Sequence, residues 1–124
     1  MPVIELVLVH QKRHFGAFGL LDTGSVYTLV SPEYARLLRV DLAGLPETNV
    51  VGLGRSVSKA YETDIKMVLR VSNYAWMARV AVSDAVVGFP FQILLGHTGF
   101  FDRFDVTFQT RHQHFHLKTE RPPL

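Results

Sequence analysis

The chain contains no cysteine, which excludes a disulfide framework, a thiolate metal site and a cysteine nucleophile. It has no run approaching the roughly 18 apolar residues of a membrane-spanning helix. Its first residues, Met1-Pro2-Val3-Ile4-Glu5, show neither the basic start nor the apolar stretch of a secretory leader. A cytoplasmic protein that does not engage a membrane is the expectation. An excess of charge of one sign is also missing, since 13 Lys and Arg stand against 11 Asp and Glu. The basic residues are scattered from Lys12 to Arg121 instead of clustering, which argues against nucleic acid as a partner. The sequence holds neither a Walker-type phosphate loop nor the glycine-flanked serine of a nucleophile elbow.

What is present is a strongly apolar chain, 48% hydrophobic over 124 residues. That length and composition predict one folded domain over residues 1–124, with a core of its own. The apolar residues fall into short runs separated by turn-forming ones. Val3 to Val9 reads as a strand buried on both faces, Gln11 to His14 as a turn, and Phe15 to Leu21 as a second strand. After a tight turn, Val26 to Val30 resumes a strand. Ser31-Pro32-Glu33 then marks a helix start running to about Arg39, through an N-cap serine, a first-turn proline and a first-turn acid. Thr48 to Val51 and Ser58 to Tyr61 flank a glycine-bearing tip, and Ile65 to Val71 pairs with Ala75 to Val82. Phe91 to Gly96 is a further buried strand, and His97 to Phe104 fits one or two helical turns. Alternation in Phe104 to Phe108 and in Phe115 to Leu117 predicts a closing hairpin. The fold expected is therefore all-β, a barrel or a sandwich with one or two short helices.

Within this pattern one tetrapeptide carries chemistry. Asp22-Thr23-Gly24-Ser25 places a carboxylate in a tight turn directly after the apolar strand, and it occurs once. Two carboxylates sharing one proton can activate a water for attack on an amide, because like charges in contact cannot both stay ionised. One chain supplies half of such a pair. Two further segments follow in order: Val51-Gly52-Leu53-Gly54 at the hairpin tip, and Ile93-Leu94-Leu95-Gly96.

With these three motifs the chain resembles the retropepsin-like aspartic proteases, the single-domain relatives of pepsin, over nearly its whole length. The resemblance implies a barrel of the acid-protease type and an aspartic endopeptidase that needs no metal and no organic cofactor. Asp22 from each of two chains would hold the nucleophilic water, so the expected state is a homodimer acting on a peptide or protein substrate. Thr23 would lock the paired loops across the two-fold axis, and Gly24 would permit the close turn. Ser25 would donate a hydrogen bond to the outer oxygen of Asp22 and favour its charged form, which predicts an acidic optimum. Gly52, Leu53 and Gly54 would form the flap over the substrate, Val26 and Tyr27 would line the cleft, and Leu94, Leu95 and Gly96 would support the loop. The chain departs from retroviral members where Val26 and Tyr27 replace acids, where His97 replaces an arginine, and where Arg55 replaces a flap glycine. Relatives dimerise through terminal strands, so Val3 to Val9 and His112 to Thr119 are the interface candidates, although the same residues would serve equally well to close each barrel.

Other features have plainer readings. His112, His114 and His116 alternate along one strand face, which suits a solvated face as well as a metal site and lacks a fourth ligand. Phe100, Phe101 and Phe104 are expected to pack a helical turn onto the barrel, with Trp76 in the core. The alternative to catalysis is a protein that keeps the barrel and binds an extended peptide, or serves as a dimerisation module.

Overall fold

The computed structural model describes residues 2–51, 56–87, 90–109 and 114–124. β1 (Val3–His10) and β2 (Arg13–Leu21) form a hairpin, paired from Val3↔Leu20 to His10↔Arg13. The turn is only Gln11-Lys12, with Gln11 at φ 54°, the positive φ that two-residue hairpins require. β3 (Thr28–Val30), α1 (Pro32–Leu37), β4 (Glu47–Val51), β5 (Val57–Leu69), β6 (Ala75–Ser83), β7 (Ile93–Leu95), β8 (Asp105–Gln109) and β9 (His114–Lys118) follow, with a 3-10 turn at Asp84–Val86.

Six strands close into a barrel in the order β1-β2-β7-β3-β6-β5, with β5 returning to β1. β4 extends the sheet as a seventh strand on the first half of β5. Of the barrel and the sandwich that the strand spacing allowed, the closed barrel is observed. Alternation puts Leu6, Leu8, Ala17, Ile65, Met67, Ala78 and Val80 into the interior, where period-two side chains must meet. No helix among the described residues is long and apolar enough to cross a membrane.

β1 closes the barrel, one of the two roles its sequence left open. It is paired with β2 along its whole length and with β5 from Leu6 to Val9. Its burial alternates, with Leu6 and Leu8 fully buried between partly exposed neighbours. The strand is barrel wall from Leu6 to Val9. The terminal hairpin differs in kind. β8 and β9 form a separate two-stranded sheet, and Val106, Phe115 and Leu117 rest it against the barrel core. His112 and the side chain of His114 lie outside the described residues, and no metal-ligating cluster occurs among those described.

Residues 97–104 make turns in place of a regular helix. Phe104 N–H donates to the Phe100 carbonyl at 3.0 Å, Arg103 N–H to the same carbonyl at 2.9 Å, and Phe101 N–H to Gly96 at 3.0 Å. This mixed spacing follows from Gly99, whose φ of +100° lies outside helical space. Trp76 fixes that residue by donating its indole N–H to the Gly99 carbonyl at 2.8 Å. Phe104 meets the Trp76 ring edge-on at 4.9 Å, and Phe100 and Phe104 are buried beside it, so the aromatic packing expected of this segment is present. At the C-terminus the Leu124 N–H donates to the Ala75 carbonyl at 2.8 Å and Tyr74 donates its hydroxyl to the Arg121 carbonyl at 3.1 Å.

Candidate functional site

Asp22 stands at the first residue beyond β2, and the ladder reaches one step past the strand to hold it. Leu20 and Leu21 pair in parallel with Leu94 and Leu95, and the Asp22 N–H donates to the Leu95 carbonyl at 2.9 Å. The turn then closes on itself. Ser25 N–H donates to the Asp22 carbonyl at 3.1 Å, and Gly24 N–H donates to Asp22 Oδ1 at 2.9 Å. A backbone donor on a carboxylate oxygen orients the side chain. Asp22 is half-buried, while Thr23 and Gly24 are exposed.

Ser25 does not play the part expected of it. Its hydroxyl donates to the Tyr27 carbonyl at 2.6 Å, and a hydroxyl has one proton to give. The donor to Asp22 is the Gly24 amide instead, and the serine-based argument for an acidic optimum no longer holds.

β7 sits between the two sides of the loop, parallel to β2 and antiparallel to β3, so Leu94, Leu95 and Gly96 stand where the support was expected. At Gly96 the backbones nearly touch. A Cβ there would lie 2.6 Å from the Ser25 carbonyl oxygen and closer still to that of Tyr27, which no side chain tolerates. The Gly96 N–H donates to Thr28 Oγ1 at 3.1 Å, and Thr28 is fully buried. Beyond Gly96 the chain continues as a rail along the loop: His97 N–H donates to the Ser25 carbonyl at 2.9 Å, Thr98 N–H to Val26 at 2.8 Å, and Thr28 N–H back to Thr98 at 3.0 Å. The His97 ring returns to the loop as well, with Nε2 2.6 Å from the Thr23 carbonyl oxygen. Neither Thr28 nor this His97 contact was foreseen. The only signals were a threonine inside an apolar strand and a histidine beside a glycine.

Opposite the loop lies the hairpin of β4 and β5, paired from Glu47↔Tyr61 to Val51↔Val57. Its tip residues Gly52, Leu53 and Gly54, with Arg55, lie outside the described residues. Between hairpin and loop is a cleft of about 200 Å³ lined by Gly24, Ser25, Val26, Tyr27, Leu29, Asn49, Val50 and Val51. Val26 and Tyr27 line this cleft, and the Tyr27 hydroxyl lies 3.4 Å from Thr48 Oγ1 on β4. Val26, Val51 and Val57 are 65%, 66% and 67% exposed, an apolar rim open to solvent. No charged side chain lines the cleft among the described residues. A larger groove of about 460 Å³ lies away from the loop, bordered by Val3, Leu69, Tyr74, Phe115 and Leu117. Size alone would favour it. The smaller cleft is the one bordered by the Asp22 turn, through Gly24 and Ser25.

Compared with models of known protein families and with curated proteins, the sequence matches none. The functional reading therefore rests on the residues and the geometry of the loop, its support and the hairpin opposite.

Proposed function

We propose that the protein is a retropepsin-like aspartic endopeptidase, active as a homodimer, in which Asp22 of two copies forms one catalytic site. The observation that carries this reading is the placement of a single carboxylate. It sits in a glycine turn at a strand end, oriented by the Gly24 amide at 2.9 Å, beside a cleft that Gly24 and Ser25 of the same turn share with the β4–β5 hairpin.

In the resulting mechanism, two Asp22 carboxyls share one proton and hold a water between them. The ionised one takes a proton from the water as its oxygen attacks the scissile carbonyl, while the other protonates the carbonyl oxygen, giving a neutral gem-diol. Proton return to the amide nitrogen then breaks the C–N bond and releases an acid and an amine. The pair titrates as a unit. Thr23 and Gly24 serve to hold the loops, the tip residues Gly52, Leu53 and Gly54 fold over the substrate, and no metal or organic cofactor enters. A site built on a two-fold axis leaves the isolated monomer inactive. The interface assigned is the terminal hairpin, which forms a sheet separate from the barrel.

The test compares wild type with Asp22→Asn on an unfolded protein substrate from about pH 3 to 7, with oligomeric state measured in parallel; the variant is expected to lose about 10²-fold or more of the rate. A dimeric wild type that cleaves nothing, or a variant that cleaves equally well, defeats the proposal. One observation favours a second reading: among the described residues β4 is paired only with β5, so its outer edge beside the cleft suits addition of a peptide strand without hydrolysis. On that reading both proteins bind peptide and neither cleaves it.

A further inference from the structure

The Thr23 carbonyl and the Gly24 N–H are the two ends of one planar peptide unit. His97 Nε2 lies 2.6 Å from that carbonyl oxygen, and the N–H of the same unit donates to Asp22 Oδ1 at 2.9 Å. A carbonyl oxygen has no proton, so the nitrogen must donate, and the ring is either the Nε2–H tautomer or the imidazolium. A hydrogen bond accepted at the carbonyl polarises the amide and strengthens its N–H as a donor. It also fixes the rotation of the plane, which otherwise turns freely enough in an exposed turn to aim the N–H away. His97 is itself exposed, but its position is set from both sides: its own N–H donates to the Ser25 carbonyl at 2.9 Å, and its ring lies against Phe101 at 5.4 Å.

We infer that His97 is a positioning residue for Asp22, acting through the Thr23–Gly24 peptide: the imidazole holds and polarises the amide that orients the carboxylate. The chain thus has a donor to the loop at the place where it departs from the arginine of the retroviral members it resembles, and directs it at the loop backbone. The inference deepens the endopeptidase reading, but its contacts belong to the resting protein.

The test is NMR on the intact protein without substrate. In wild type at neutral pH, His97 is expected to show nitrogen shifts of the Nε2–H tautomer, and the Gly24 amide proton to resonate downfield with slowed exchange. His97→Phe keeps a ring against Phe101 and removes the donor; Gly24 is expected to shift upfield and exchange about tenfold faster. His97→Gln places an amide N–H near the position of Nε2 and is expected to restore the Gly24 signal. If the enzyme cleaves peptides, His97→Phe lowers kcat about tenfold or more with KM little changed, and His97→Gln recovers most of it. An Nδ1–H tautomer in wild type, a Gly24 signal alike in all three proteins, or equal loss in both variants overturns the inference. The tautomer is read in wild type, so an unfolded variant does not block the test. Failure of the endopeptidase reading appears separately, as an inactive wild type with the Gly24 pattern intact.

Discussion

Gly96 shows how much of the site depends on one missing atom. Its two neighbours across the gap are backbone carbonyls, of Ser25 and Tyr27, and a backbone cannot rotate aside as a side chain does. Gly96→Ala should therefore displace the loop from β7, costing about 3 kcal/mol of stability, measurable as a lower urea midpoint at unchanged slope. Full retention of stability would show that the approach is looser than described. The glycine was legible in the sequence as the end of Ile93-Leu94-Leu95-Gly96, but its reason was not. Nothing in the order of residues brings position 96 against positions 25 and 27, nor the His97 ring against Thr23, 74 positions apart. Ser25 failed for a related cause. Sequence offers its hydroxyl several acceptors, and only the folded turn selects the Tyr27 carbonyl.

Among the elements, α1 couples docking to proton binding. Tyr34, in its first turn, meets Phe15 of β2 edge-on at 4.9 Å, and its phenol is raised above the ordinary 10.0 by burial and then by the Glu33 carboxylate. The folded protein thus holds this proton more tightly than the unfolded chain. Its contribution to stability is complete below the unfolded value and is lost as the pH rises through the folded one. Urea unfolding from about pH 9 to 11 should show a steeper alkaline loss for wild type than for Tyr34→Phe; parallel curves would remove Tyr34 as the cause. The start of α1 was readable from Ser31-Pro32-Glu33, and Ser31 does cap it, accepting from the Tyr34 N–H at 3.2 Å. The hairpins were readable for a similar reason, since alternation and turn residues are local. β5 was read as two strands because Glu62-Thr63-Asp64 is polar. Their partners Ala81, Val80 and Arg79 lie on β6 and make the strand continuous. Over 97–104 a helical turn was expected, and Gly99, pinned by Trp76, prevents it.

At the scale of the molecule, a site shared between two copies gives a stoichiometric signature. If wild type and Asp22→Asn chains are mixed equally and allowed to exchange, about one quarter of the dimers carry two Asp22 carboxyls, against the half expected if each chain worked alone. Activity per wild-type chain should also fall on dilution, as dimers dissociate. Activity linear in the wild-type fraction, and constant per chain at all concentrations, would show that one chain suffices.

The barrel and the hairpin opposite the loop are not separate parts, because one strand belongs to both. β5 runs unbroken for 13 residues; its start pairs with β4, its middle and end with β6, and its last residues with β1. Side chains along a strand change face with every residue, so a single inserted or deleted residue in β5 would exchange inside for outside along everything downstream of it. Substitutions in this strand are local events, whereas changes of length are not. Variation in chain length among any descendants of this sequence should accordingly collect in residues 52–55, leaving the reach of the hairpin adjustable and the barrel's register untouched.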